Sequence, residues 1–574
     1  MFVLTALVFL VALFVGGGTR AGFAGDVLLQ YLSVPLLLLA IVHLVRPENR
    51  SQSRGLLWAC GLIAVVPILH LLPMPPGLRS FFPGKSWIDE TYALLDRPPP
   101  YWPLSMAPHA TWLALLSLIP PVAVCLGVAS LNYRERRTLS LLLLAFSVLS
   151  VFVGLMQLAQ GANSPLRFYA FTNPTEAVGF FANRNHYSAL LYCASLTAAA
   201  WLINVVGRAA ADTNRKIFET STVLRIAGVL TMFAVIVIAQ TMARSRAGLM
   251  LSIVALFVAP ALALTDRRNR GTRARSATVL FGAGAFAIVF SLQYALYRIL
   301  DRFAADPLED ARILIARKTY EAAKSFLPFG SGPGTFVSVY PLFEKPQDVT
   351  AFFANRAHND VLEGVLESGL FAIALMVVFV VWLLRRSYSV WRSAVAEGIA
   401  EIDLMLMKTA LPALVLLALH SFVDYPLRTS AIMTLAAFYC ALLWAPIGAD
   451  EGRSGTGLAG AHDQHAQPRH APSTQGHGHA PAHTAPPRAS TTWVPPPDAG
   501  VAPHHPHAPR PRGQHHSGHH SGQQTGKPTG LRPDERWTGA DAWPQEWRDE
   551  ADGKGGAAAP PHPKPEKSDP SEKS

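Results

Sequence analysis

Residues 134–161 read RERRTLSLLLLAFSVLSVFVGLMQLAQG. Arg134, Arg136 and Arg137 precede an uncharged run, 138–159, which ends just short of Gly161. About 20 apolar residues, rising ~1.5 Å each as a helix, cross the ~30 Å hydrocarbon core of a bilayer. The run is long enough to span, and the arginines mark its cytoplasmic end. Runs of the same kind recur at 2–17, 27–45, 55–73, 111–131, 186–206, 224–243, 247–264, 277–297, 363–384, 407–424 and 429–446. With 138–159 they make about twelve transmembrane helices. Four further basic loops, around Arg46–Arg54, Arg208–Lys216, Arg267–Arg275 and Arg385–Arg392, alternate with loops poor in Lys and Arg or too long to follow the rule. The alternation puts all five basic loops and both termini in the cytoplasm.

Composition agrees. Half of the 574 residues are hydrophobic and 15% are charged, against ~25% charged in a soluble globular protein. Soluble enzymes, collagen-like fibres and disulfide-rich secreted domains are excluded. The net charge of +11 belongs largely to membrane topology, and no nucleic-acid partner is expected. Cys60, Cys125, Cys193 and Cys440 each lie inside an apolar run without metal-ligand spacing and read as small buried hydrophobes. The run at Phe2–Val15 lacks a basic leader and reads as the first membrane helix rather than a signal peptide. The expected fold is all-α: a polytopic integral membrane domain over 1–449, followed by a disordered cytoplasmic tail over 450–574. The tail is almost devoid of Leu, Ile, Val and Phe and holds 14 of the 20 histidines. It has too little apolar surface to offset chain entropy.

The far side carries the elaborate segments. Residues 74–110 are Pro-rich and include Trp87, Tyr101 and Trp102; 160–185 is shorter; 298–362 is the largest loop. Between Leu308 and Phe326 apolar residues recur at three and four positions, which predicts an amphipathic helix. Gly330-Ser331-Gly332-Pro333-Gly334-Thr335-Phe336 is followed by Arg356-Ala357-His358-Asn359-Asp360 at the re-entry to the membrane. The glycine series matches neither a Walker A loop nor a dinucleotide fingerprint; by spacing alone it reads as a re-entry turn. Asn359 has the position of a helix N-cap. His420 and Asp424, four apart, are expected to share a helix face and to hydrogen-bond each other.

These motifs, in this order, resemble the O-antigen ligase/polymerase superfamily of bacterial envelope glycosyltransferases. Five pieces carry the resemblance over roughly 55–446: Gly179 to His186, with Asn183 and Asn185 in a G-x-F-x-N-x-N pattern; Ser245-Arg246-Ala247-Gly248; Arg312, 18 residues before Gly330; His358-Asn359 followed by Glu367-Ser368-Gly369; and His420 to Asp424. Trp102-Pro103-Leu104-Ser105 also looks familial. Ala372 stands where the ligase-type pattern carries Gly, Thr or Tyr, which favours a polymerase.

The resemblance implies a GT-C-like fold in the bacterial inner membrane. It also implies transfer of a glycan from undecaprenyl diphosphate to an acceptor hydroxyl at the periplasmic face. The acceptor is another glycan repeat unit, a lipid A-core, or a protein hydroxyl. His358 is the candidate base, since imidazole titrates near neutral pH. Arg246 and Arg312, with Arg244 beside them, suit the donor diphosphate because guanidinium stays charged and donates in bidentate pairs. Asn359, Asn183, Asn185, Gly332 and Gly334 are expected around the substrate, with His420 and Asp424 in support. No carboxylate cluster points to a metal, and no cofactor is expected; the partners are the two glycan substrates and membrane lipids. The competing class is a transporter, against which stand the absence of an obvious internal repeat and of broken mid-membrane helices bearing paired ionisable residues.

Overall fold

The computed structural model describes residues 1–19, 24–211, 219–304, 307–349, 353–392 and 399–447, with the side chains of 290–311 left aside. The His-rich segment 450–574 lies outside the described residues, as do Arg215 and Lys216 of the third basic loop. Among the described residues the regular structure is helical apart from one short antiparallel pairing of Pro73–Met74 with Trp102–Pro103. Helices α1 (Phe2–Val15), α2 (Ala24–Val45), α3 (Arg50–Leu71), α6 (Pro108–Leu116) continued by α7 (Ile119–Ala129), α8 (Tyr133–Gln160), α9 (Arg184–Ala211), α10 (Thr220–Ala243) and α11 (Arg246–Ala263) come first. Then follow α12 (Arg270–Ala304), α16 (Leu370–Arg392), α17 (Glu401–His420) and α18 (Ser430–Leu442). Among the described residues nine spans are long and apolar enough to cross a membrane; α1 and α18 are shorter apolar helices, and α12 covers the expected span at 277–297. The protein is an all-α polytopic membrane protein.

Local chemistry explains the boundaries. Asn132 accepts from the Glu135 N–H at 3.0 Å, and the Glu135 carboxylate accepts from the Asn132 N–H at 3.0 Å, so a capping box starts α8. Ser245 caps α11 by accepting from the Gly248 N–H at 3.0 Å. Helix α9 is the hub: 89% of its apolar window is buried. Its run of Ser188, Ala189, Cys193, Ala194, Ser195, Thr197, Ala198, Ala199 and Ala200 lets neighbouring backbones approach closely, the usual route to packing where lipid supplies no hydrophobic drive. Helix α16, by contrast, has 17% of its window buried and faces outward.

Two expectations are corrected. The span predicted at 363–384 is two helices, α15 (Asp360–Ser368) and α16, broken at Gly369. Gly369 takes φ 58°, and a Cβ there would stand 2.1 Å from the Pro328 carbonyl oxygen, which accepts the Leu370 N–H at 2.8 Å. The span predicted to reach Asp424 stops at His420, where α17 ends in a turn.

The basic loops share one end of the bundle. There Arg137 donates twice to Asp403 at the start of α17, at 2.6 and 2.5 Å, and Arg267 pairs with Glu401 at 3.0 Å. The opposite end carries the long segments. The predicted amphipathic helix is α13 (Pro307–Phe326), whose Ala322, Ala323 and Phe326 pack with Phe336, Tyr340 and Leu366. Segment 74–110 and the start of α6 wrap the glycine turn: Lys85 Nζ donates to Gly330 O at 3.0 Å, Met106 N–H to Ser331 O at 2.8 Å and Thr111 Oγ1 to Pro333 O at 2.8 Å.

Candidate active site

Asn359 starts α15 and pins the entry. Its Oδ1 accepts from the Leu362 N–H at 2.9 Å, and its Nδ2 donates to the Phe422 carbonyl at 2.9 Å. This clamps the residue before it, His358, against the turn after α17. His358 has φ 52°, a left-handed conformation costing a non-glycine residue roughly 1–2 kcal/mol. Such residues concentrate at functional sites.

Asp424 is the centre of the cluster. His358 Nδ1 donates to its Oδ1 at 3.1 Å, and Asn185 Nδ2, from the first turn of α9, donates to its Oδ2. The Asp424 side chain is fully buried and that of His358 is 22% exposed. Burial alone would raise the Asp424 carboxyl. The hydrogen bond from His358 and the charges of His358, His186 and Arg312 outweigh burial and hold it well below the usual carboxylate range. A carboxylate can only accept, so it fixes the proton on Nδ1 and leaves the Nε2 lone pair as the reactive position. Tyr425 packs edge-on between His186 and His358, 5.0 Å from each, and hydrogen-bonds Asn183 and Asn355.

The expected His420–Asp424 side-chain pair does not form. Once α17 ends, the Asp424 N–H bonds the His420 carbonyl at 2.9 Å while the side chains part: His420 Nδ1 meets Tyr192 OH at 3.2 Å and Asp424 turns to His358. Arg312 stands on α13, close enough for its charge to bear on Asp424 and His420. Arg246 opens α11 at the same end, where Gly248 packs so tightly on Ser188 of α9 that a Cβ would lie 2.3 Å away. Arg244 caps α10 in a left-handed conformation, φ 48°. Gly332 has φ 117° and lies against Ser105; Gly334 has φ 81° and lies against Ala110. Both glycines therefore answer first to backbone packing, with Gly334 also lining a cavity.

One group escaped sequence reasoning. Asp360, Glu363 and Glu367 occupy one face of α15 and meet two arginines. Arg356 pairs with Glu363 at 2.9 Å; Arg428 pairs with Glu367 at 2.7 Å and reaches Asp360 at 3.4 Å and Glu363 at 3.6 Å. Burial pushes the Asp360 carboxyl up to about 7 despite Arg428 and the Ser421 hydroxyl. Burial would lower the Arg428 guanidinium, but the three carboxylates hold it well above its ordinary value. The available signal was three carboxylates at i, i+3 and i+7 beside an apolar run.

Residues 228–377, from α10 into α16, match the O-antigen ligase family model. This segment is similar to the O-antigen ligase domain. It contains Arg244, Arg246, Arg312, Gly332, Gly334, His358 and Asn359. The fold completes the cluster with Asn183, Asn185 and Asp424 from outside the matched segment, while His420, also outside it, turns to Tyr192. No curated protein matches the chain. The match supports glycan transfer of the ligase or polymerase type in general.

Proposed function

We propose that the protein is a repeat-unit polymerase of the periplasmic face of the inner membrane. It transfers glycan from undecaprenyl diphosphate to the hydroxyl of an acceptor glycan. The His358–Asp424–Asn185 arrangement carries this reading: a buried carboxylate, itself held by a second donor, orients an imidazole whose other nitrogen is available to a proton.

In the proposed step the acceptor oxygen bonds to the anomeric carbon as its proton passes to His358 Nε2. The bond from that carbon to the diphosphate oxygen breaks, and the electron pair leaves with the lipid diphosphate. Arg246 and Arg312 stabilise the departing charge, so no acid is required. A single displacement inverts the anomeric centre. His358 returns its proton to water.

His358→Ala should lower transfer about 10²–10⁴-fold at unchanged protein level. His358→Gln, which hydrogen-bonds but cannot take the proton, should not rescue it. Full activity in His358→Ala would remove the histidine from the mechanism, and activity retained in His358→Gln would make it a positioning group. The second reading, favoured by the matched family description, is a ligase acting on lipid A-core. A deletion strain separates the two: loss of secreted or lengthened polymer marks a polymerase, and loss of capped lipopolysaccharide with polymer retained marks a ligase.

A further inference from the structure

Helix α16 carries a groove of about 610 Å³ on the face turned away from its own packing. Leu383, Ser387 and Val390 are its buried side. At ~100° per residue, Val381 and Arg385 project about 160° away from Leu383. The groove follows that outer face as a stripe. Exposed valines, Val377, Val378 and Val381, come first; Trp382 is next; Arg385, Arg386 and Ser389 close it. Trp444, just after α18, forms the other wall and stacks on Trp382 with ring centroids 5.8 Å apart. Trp444 also shows at which end of the bundle the stripe closes. Its Nε1 donates to the Gln52 carbonyl at 3.3 Å, and its own carbonyl accepts from Arg136, so the basic starts of α3 and α8 meet the basic end of α16 there.

Charge in the groove is not balanced by the protein. At the same end Arg137, Arg267 and Arg268 each pair with a carboxylate. Arg385 and Arg386 pair with none among the described residues. Arg386 is nonetheless held: its Nε donates to the Leu443 carbonyl at 2.6 Å, and its guanidinium lies 5.4 Å over the Trp444 ring. Its Nη groups are left for another acceptor. Ser389, one turn after Arg385, adds a hydroxyl. An apolar stripe that ends in two guanidiniums without carboxylates has the form of a seat for an amphiphile with an anionic head. Its length fits as well: Val377 lies ~12 Å along the helix from Arg385, inside the ~15 Å of one leaflet's hydrocarbon. A zwitterionic head fits less well, because its ammonium seeks an aromatic face and Arg386 already covers that of Trp444.

We infer that this groove binds an anionic glycerophospholipid of the surrounding bilayer. The phosphate sits on Arg385, Arg386 and Ser389, and an acyl chain runs along Val381, Val378 and Val377 beside Trp382. Basic pockets between membrane helices hold anionic headgroups in this way. The groove lies at the basic end of the bundle and the His358 cluster at the other, so the lipid is a structural partner and not a substrate. Helix α16 follows α15 directly after Gly369. A lipid bound at one end of α16 therefore braces the helix whose other end leads into the His358 entry. This site stands whether or not the transferase reading does.

Photolabelling tests it. The full-length protein is placed in phosphatidylcholine nanodiscs doped with either phosphatidylglycerol or phosphatidylethanolamine, each carrying a diazirine in its acyl chain. After illumination, adducts on the α16 peptide are quantified by mass spectrometry. The phosphatidylglycerol probe should label the stretch from Val377 to Trp382 more heavily than the phosphatidylethanolamine probe. Arg385→Gln should lower the phosphatidylglycerol labelling about fivefold, the worth of one arginine beside an anionic lipid surface, and Arg385→Lys should retain most of it. Arg386 also ties α16 to Leu443, so the substitution at Arg385 carries the test, and an unchanged thermal midpoint in detergent separates lost charge from lost fold. Equal labelling by the two probes would overturn the proposal, as would a phosphatidylglycerol preference that survives Arg385→Gln. Absence of label on α16 would overturn it too, and would mean that a second copy or another segment covers the stripe.

Discussion

At the scale of single residues, the site is an imidazole given its orientation by a buried anion. Asp424 is ionised because His358, Asn185 and nearby cations compensate its burial. Asp424→Asn keeps the shape but lets the amide donate to Nδ1, which favours the wrong tautomer. Transfer should then fall about 10²–10⁴-fold while protein level holds, and turnover assays on membranes check this; near-normal rates would mean that Asp424 is architectural. Arg246 and Arg312 make a second test. Lysine keeps the charge and loses the planar fork, so Arg246→Lys and Arg312→Lys should each sharply reduce polymer production. Normal polymer from both variants would count against bidentate diphosphate binding. Arg246 and His358 were singled out in the sequence because each sits in a short motif, and Arg312 by its place 18 residues before Gly330. The role of Asp424 was not: its partner is 66 residues away, and its apparent partner, His420, is removed by the end of a helix.

At the scale of elements, α15 is the piece that positions the site. It is short, starts at the Asn359 cap, ends at the left-handed Gly369, and presents three carboxylates to Arg356 and Arg428. Periodicity alone runs it into α16, because apolar residues continue through the break. The break comes from outside the helix, where the Pro328 carbonyl occupies the space a side chain at 369 would need. Gly369→Ala should therefore destabilise the domain by more than the ~1 kcal/mol of ordinary glycine replacement, seen as a lower thermal midpoint in detergent. Arg428→Met leaves Glu367 and Asp360 without their main cation. Removing one partner of a buried pair typically costs about 3–5 kcal/mol, so this variant should unfold well below the parent. An unchanged midpoint would show that the network contributes little.

At the scale of the whole molecule, the bundle has two dissimilar ends. The basic loops and the Asp403 and Glu401 ion pairs occupy one; the glycine turn, α13, α15 and the His358 cluster occupy the other. The basic end should be cytoplasmic. A topology reporter fused after Gly448 should be active in the cytoplasm, and activity only on the periplasmic side would reverse the assignment and move the site to the wrong compartment for this chemistry. Truncation at Gly452 should leave the membrane domain folded and substantially active, because the segment beyond it has too few apolar residues to join a core. Lost transfer at equal expression would give that segment a regulatory or docking role.

The sequence by itself determined the class of molecule. Apolar runs of spanning length admit no other backbone in lipid than a helix that satisfies its own hydrogen bonds, and Lys and Arg placement orders the loops. It also marked the motifs around Arg246, Arg312 and His358. The tertiary structure decided which residues meet. Asn185, His358 and Asp424 come from three separated segments, and Arg356, Glu363 and Arg428 from two flanks of the same entry. Such encounters depend on where helices stop and how closely backbones approach. At Gly369, at the end of α17 and at the Gly248–Ser188 crossing, those limits are set by neighbouring atoms distant in the chain, which no local pattern records.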